Sequence, residues 1–232
     1  DELVETFVNE LCSGDTRVEI GYKKGERFRI SLIEQLAKGD ESFVKEGDTV
    51  VLSGGARGIT FEILKEMVRV YKVRPVILAR SPIDNVDAEF LRDGVDEKQV
   101  FDALSKTMAG AKPLDIKKAA AKVMGQRDTI RNIRELEAMG VEVKYHAVDI
   151  TDEVAVKNVI AGLEKVDGVI HAAGLEISQL IPKKDMATFN SVYDTKIDGV
   201  NNLVAALEEK SYRWFIGFSS VAARFGNEGQ CD

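Results

Sequence analysis

The chain has 232 residues, of which 44% are hydrophobic and 31% charged, and its formal net charge is −7. That is enough apolar material for a real core and excludes a disordered or fibrous chain, while the acidic balance argues against general nucleic-acid or anionic-membrane binding but not against a local basic pocket. Cys12 and Cys231 lie far apart without metal-ligand spacing and read as reduced thiols, and there is neither a signal-peptide pattern nor an apolar run near the ~18 residues of a membrane span, so the expected location is cytoplasmic.

Leu3, Val4, Phe7, Val8 and Leu11 fall at helical spacing and predict a short amphipathic helix over 2–12, broken by Ser13-Gly14-Asp15. Residues 17–22 and 27–30 read as two strands joined by Lys23-Lys24-Gly25-Glu26. So small a piece rarely builds its own core. Residues 1–47 are therefore expected to be the remnant of a preceding structural subdomain, with the main domain over 48–232. The start at Asp1 without a methionine and the stop after Gln230-Cys231-Asp232 read as cuts in a longer polypeptide.

From Thr49 onward strand and helix patterns alternate. Strands are predicted over 49–53, 74–79, 141–148, 166–171 and 212–219, and helices over 58–71, 114–139, 152–164 and 185–210. This alternation implies right-handed crossovers and a parallel, doubly wound α/β sheet. Pro75, Pro82, Pro113 and Pro182 all fall at predicted element boundaries. Residues 82–112 are polar and irregular, with a short helix near 98–108, and read as an insertion ahead of an unusually long helix.

In an open parallel sheet, ligands bind beyond the carboxyl ends of the strands. At the first end, Ser53-Gly54-Gly55-Ala56-Arg57-Gly58-Ile59 joins a strand to an amphipathic helix. Glycines allow the sharp turn, and the helix N-terminus offers free N–H groups to a phosphate. The strict G-x-G-x-x-G is absent, since Arg57 and Thr60 occupy its later positions. The second end carries Arg80-Ser81 where a binder of the non-phosphorylated dinucleotide usually has Asp or Glu. Arg57 and Arg80 together favour a 2′-phosphate; two solvated surface arginines are the alternative.

At the third end Asp149, followed by Ile150, either accepts from an adenine amino group or caps the next helix together with Thr151. At the fourth, the small residues Ala172, Ala173 and Gly174 permit close approach of a flat ring or a ribose, and His171 reads as a packed or capping residue. His146 and His171 are the only histidines, so no metal site is expected. The fifth end is Phe218-Ser219-Ser220. Lys196 fills the gap in an apolar helical stripe of Phe189, Tyr193, Val200, Leu203 and Leu207. It either snorkels past the helix rim or aims its ammonium into the cleft.

Taken together, the glycine turn, Ala79-Arg80-Ser81, Asp149, His171-Ala172-Ala173-Gly174 and Phe218-Ser219-Ser220-Val221-Ala222 resemble the short-chain dehydrogenase/reductase superfamily. More narrowly, they resemble the ketoreductase domains of polyketide and polyunsaturated-fatty-acid synthases. Lys196-Ile197-Asp198-Gly199-Val200-Asn201-Asn202-Leu203 is similar to the K-x-x-G-x-x-N-L that carries the catalytic lysine there, and Arg224–Gln230 resembles the loop before the catalytic tyrosine. The resemblance covers roughly 48–232, and residues 17–30 resemble the tail of the subdomain that precedes such a reductase.

It implies a Rossmann-like fold, incomplete at its C-terminal end, and NADPH-dependent reduction of a β-ketoacyl thioester. The substrate would arrive on the phosphopantetheine arm of an acyl carrier protein, among neighbouring synthase domains. Ser220 would hydrogen-bond the carbonyl, and Lys196 would hold the nicotinamide ribose and lower the tyrosine pKa. The family's tyrosine lies 13 residues after the serine, which from Ser220 is the position immediately after Asp232. A catalytically inactive nucleotide-binding or structural subdomain is therefore the alternative. Thr60 stands where a glycine is usual, putting the tight helix–strand packing in question, and Leu175-Glu176-Ile177-Ser178 replaces the Leu-Asp-Asp signature of one stereochemical class.

Overall fold

A computed structural model describes residues 2–17, 19–35, 42–84, 86–92 and 94–231. The chain divides into two units, 1–41 and 42–232. In the first, α1 (Glu2–Cys12) is followed by an antiparallel hairpin of β1 (Ile20–Lys23) and β2 (Glu26–Arg29). The turn is tighter than the sequence suggests, because Lys24 and Gly25 both take positive φ (52° and 77°) and leave Lys23 and Glu26 paired. The predicted first strand also included Val18, which lies outside the described residues. Polar contacts tie the unit together: Glu10 of α1 accepts from Arg27 Nε (2.8 Å) and Nη2 (2.6 Å) and from Tyr22 OH (2.6 Å). The Arg27 bonds, then the Tyr22 bond, hold the Glu10 carboxyl down at about 2.

The second unit contains β3 (Thr49–Ser53), α2 (Gly58–Tyr71), β4 (Arg74–Ala79), α3 (Glu97–Thr107), α4 (Pro113–Ala138), β5 (Lys144–Ala147), α5 (Glu153–Ala161), β6 (Gly168–His171), α6 (Met186–Ala206), β7 (Trp214–Gly217) and a final turn of helix, α7 (Ala222–Phe225). The five strands β3–β7 are parallel and ordered β5-β4-β3-β6-β7. The chain winds outward from β3 through β4 to β5, then crosses to the other side of β3 for β6 and β7. The strand order therefore reverses between β3 and β6, the point at which such sheets leave a crevice.

Helices cover both faces, which explains the continuous apolar strands. Val50 and Leu52 of β3, Ile77 of β4 and Ile170 of β6 join one core with Phe61, Leu64 and Val68 of α2 and Leu136 of α4. Their strand neighbours Val51, Val76, Leu78 and Val169 join a second core with Val156 and Ile160 of α5 and Leu203 of α6. The insertion after β4 packs a small separate core against α4. Phe90, Val100 and Ala120 are buried there, and α3 is opened by a capping box in which Asp96 and Gln99 exchange bonds (both 2.8 Å).

At the amino ends of the strands, Arg213 donates to the buried carboxylates of Asp167 (2.8 Å) and Asp48 (2.5 Å). Asp167 also accepts from the Thr49 N–H (2.9 Å), so one cluster joins the starts of β3, β6 and β7. Above it, the Trp214 indole lies directly over Gly168, where a Cβ would overlap the ring. Gly168→Ala is expected to cost about 1–3 kcal/mol by overpacking, read as a lower urea midpoint; an unchanged midpoint would mean that the indole moves without penalty.

Candidate functional site

The glycine turn after β3 is built for close approach. Gly54 and Gly55 take φ of 75° and 101°, and a Cβ on Gly54 would come within 3.2 Å of Ala173 N and 3.3 Å of the Ala172 carbonyl. Only glycine tolerates both the conformation and the proximity. The turn is held from both sides: Gly54 N donates to Leu78 O (2.9 Å) and Ala172 N to Ser53 O (3.0 Å). Thr60 causes no conflict, since it is buried and its methyl group packs beneath Gly55. Arg57 stands at the N-cap of α2 without a side-chain cap, and the first turn holds no acidic residue. The opening N–H groups of α2 are thus available to an anion.

A cleft of about 280 Å³ opens at the β3/β6 reversal. Gly54, Gly55, Ala56 and Arg57 line it from the first strand end, Arg80 and Ser81 from the second, Ile150 from the third, and Ala172, Ala173 and Gly174 from the fourth. Arg57 and Arg80 are exposed side chains on one cleft, and neither is ion-paired among the described residues. Thr60, Thr129, Tyr145 and Thr195 add to the wall, as do Leu78, Ala79 and Val148. Sequence reasoning missed Thr129 because it belongs to the helix after the insertion, and missed Tyr145 because β5 reads there as plain strand. Tyr145 OH donates to Ser81 O (2.6 Å), and burial raises its pKa against the nearby Arg57 charge, which lowers it.

The remaining sequence candidates lie around this cleft rather than in its wall. Ser53 is fully buried beneath it, Gly58 and Ile59 face outward beside Arg57, and Asp149 stands at the rim. Asp149 accepts from Thr151 N (3.0 Å) and Thr151 Oγ1 (2.9 Å), an Asx turn. The expectation that Asp149 and Thr151 cap α5 is corrected: Asp152 is the cap, accepting from Ala155 N at 2.9 Å. Capping falls to the residue immediately before the helix, which here is one position later than expected.

Lys196 also needs a correction. The buried residues of α6 are Val192, Thr195, Gly199 and Leu203. The expected stripe holds at Leu203 and at Leu207 just beyond the helix, but before them the buried face is one residue away, with Val192, Thr195 and Gly199 in place of Tyr193, Lys196 and Val200. Tyr193 is 43% exposed, and Lys196 is exposed rather than set on the buried stripe. The reason is Gly199. A Cβ there would lie 3.0 Å from His171 and from Ile150, so α6 presses its smallest residue, not its largest, onto the sheet. Asn202 seals this crossing, Nδ2 donating to Ile150 O (3.0 Å). The Lys196 side chain consequently runs beside Gly174, its Cε 3.6 Å from where a Cβ would be.

A buried chain of hydrogen bonds joins these parts. His171 Nε2 lies 3.0 Å from Lys196 O, a carbonyl that can only accept, so Nε2 carries the proton. Nδ1 then accepts from Ser53 Oγ (2.7 Å), which in turn accepts from Ala173 N (3.3 Å). Burial pushes the imidazole below its ordinary value, and the bond to Lys196 only partly offsets this. The neutral ring thus ties the glycine turn, the fourth strand end and the backbone of Lys196 together.

Ser220 is exposed beyond the end of β7, the strand next to β6, and its Oγ accepts from Ala222 N (3.1 Å). The loop after it docks on the segment that follows β6. Gln179 N donates to Gly229 O (3.0 Å), and Gln230 Nε2 donates to Glu176 (2.9 Å). Among the described residues no cluster could hold a metal ion, and no helix is long and apolar enough to cross a membrane.

Comparison with known proteins places this arrangement. The chain is similar to a polyunsaturated fatty acid synthase polypeptide of Thraustochytrium sp., 28% identical over 249 residues that cover 100% of this chain and 9% of the relative. It is similar to polyketide synthase PksL of Bacillus subtilis, 26% identical over 96% of this chain and 4% of the relative. The chain thus spans a tenth or less of these relatives' length. A ketoreductase domain from the bacillaene assembly line shares the fold, with a TM-score of 0.67 and 20% identity over 98% of this chain and 45% of that one. Residues 48–232 match the model of the KR domain, and the chain belongs to that family.

Proposed function

We propose that residues 48–232 bind NADPH and reduce a β-ketoacyl thioester, presented on the phosphopantetheine arm of an acyl carrier protein within a synthase, to the β-hydroxyacyl thioester. The observation that carries the reading is one cleft in which a glycine cradle meets two guanidinium groups, Arg57 and Arg80; among the described residues neither has an ion-pair partner and no carboxylate lines the cleft. The residues fit the cofactor. The turn at Gly54 and the uncapped start of α2 suit a pyrophosphate, Arg57 and Arg80 suit a 2′-phosphate, and Gly174 beside Lys196 leaves room for the nicotinamide ribose. When bound, the nicotinamide supplies hydride to the β-carbon.

The chain's own groups would do the rest. Lys196 holds the ribose hydroxyls and, through its charge, lowers the pKa of the tyrosine that follows in the family pattern. Ser220 donates to the carbonyl oxygen as negative charge develops on it. Fluorescence titration of the chain should show NADPH binding about 10- to 100-fold more tightly than NADH, the worth of one or two charge-assisted contacts. Arg80→Ala should weaken NADPH and leave NADH unchanged. Equal affinity for the two cofactors would refute the roles of Arg57 and Arg80. A chain carried on through the tyrosine position that binds NADPH but leaves a β-ketoacyl thioester unreduced would instead be a non-catalytic nucleotide-binding subdomain.

A further inference from the structure

About two turns of α4 grip the two loops that carry the arginines. Asn132 Nδ2 donates to Ala56 O (2.9 Å), next to Arg57, and Gln126 Nε2 donates to Pro82 O (2.5 Å), two residues past Arg80. Beside Gln126 lies Gly125, buried in mid-helix, with the Arg57 guanidinium resting on its bare backbone. A Cβ at Gly125 would overlap that guanidinium and lie 3.2 Å from its Cζ. Glycine is among the poorest residues for a helix interior, so local propensity does not explain it. Arg57 also has somewhere else to go. It borders a second, shallower hollow on the outer side of the turn, lined by Glu62, Asp128, Arg131 and Glu135. There Asp128 already pairs with Arg131 and Glu135 with Lys65, while Glu62 is in no ion pair among the described residues.

We propose that Gly125 is a positioning residue for cofactor selectivity. Its missing side chain is the seat that keeps Arg57 on the cleft beside Arg80, and a side chain there would displace the guanidinium toward the outer hollow beside Glu62. This rests on the NADPH reading above. It assigns part of the discrimination to α4, the helix that leads into β5.

The test uses two probes that differ only by the phosphate in question, adenosine 2′,5′-bisphosphate and adenosine 5′-monophosphate, titrated calorimetrically into the chain and into Gly125→Ala. The unsubstituted chain should prefer the bisphosphate, and Gly125→Ala should cut that preference about tenfold, the worth of one charge-assisted contact. Affinity for the monophosphate and the thermal midpoint should hold, because the overlap is relieved by the free end of a flexible side chain and alanine suits the helix. Gly125→Ala added to Arg57→Ala should change the ratio no further.

If Arg57→Ala loses the preference and Gly125→Ala keeps it, the seat is refuted and the NADPH reading stands. Parallel weakening of both probes, or loss of the fold, in Gly125→Ala would make Gly125 a packing residue only and also refute the seat. No preference in the unsubstituted chain would overturn the NADPH reading and this inference with it.

Discussion

Lys196→Met should lower kcat for reduction of a β-ketoacyl thioester by about 10²–10⁴-fold, the range of a positioned acid–base group, in a chain carried through the tyrosine position. Methionine keeps most of the apolar stem that runs beside Gly174 and removes only the charge. The backbone of Lys196 is independently held by His171, so α6 should not move. Among the described residues Lys196 has no carboxylate partner, which leaves its ammonium available to a tyrosine phenol and a ribose. The pH profile provides a second readout. Without the ammonium the phenol should titrate at a higher pH, and the alkaline limb of the rate should move up with it. Ser220→Ala should cost about 10²–10³-fold in kcat with little change in NADPH affinity. Turnover like that of the unsubstituted chain in either variant would reject the corresponding assignment.

His171→Ala should destabilise the domain by about 2–4 kcal/mol. The ring is 6% exposed and fills the space between Ser53, Gly199 and the start of the Ala172–Gly174 segment. Removing it opens a cavity and leaves a fully buried serine hydroxyl and the Lys196 carbonyl without their partner. Because the network includes the backbone of Lys196 and the N–H of Ala173, NADPH affinity should fall as well, which a defect confined to the core would not cause.

The same residue fixes a pH dependence. Burial holds the folded-state pKa of His171 below 6.5, the ordinary imidazole value, so the unfolded chain takes up the proton first as the pH falls. The contribution of the neutral ring is therefore complete above about 6.5 and declines below it. His146 is also shifted down, by burial and by Lys144, and contributes with the same sign, but it remains in the variant. Urea midpoints measured from pH 7.5 to 5 should show the gap between the unsubstituted chain and His171→Ala narrowing toward acid. A constant gap would mean that His171 does not titrate in this way.

Much of this domain could be read from local pattern. Strands 49–53 and 74–79 and helix 58–71 match the structure end to end, because apolar runs bounded by glycine, proline or charge leave little freedom in where an element starts. The strands at 141–148, 166–171 and 212–219 were each predicted longer than observed, at 144–147, 168–171 and 214–217. Apolar residues continue past the last rung of pairing, and only the partner strand decides where the ladder stops. The alternation of the elements carried the α/β class, and the glycine turn with Arg57 and Arg80 carried the cofactor expectation.

Three features depended on the tertiary structure. The face of α6 is set by Gly199 approaching His171 and Ile150, so a stripe drawn through its large apolar residues holds at Leu203 and Leu207 but misses by one position at Tyr193, Lys196 and Val200. The bonding of His171 depends on a serine 118 residues earlier and a carbonyl 25 residues later. The polar side chains Gln126, Thr129 and Asn132 are buried in α4. Gln126 and Asn132 find partners in the loop after β4 and the glycine turn, and Thr129 bonds back to Gly125 O within the helix. Sequence by itself determined the elements, the sheet class and most residues of the candidate cleft, since these follow from the periodicity and chemistry of neighbouring residues. Which helix face turns inward, and which buried polar group finds a partner, is decided by close approach between segments far apart in the chain, and only the folded arrangement contains that information.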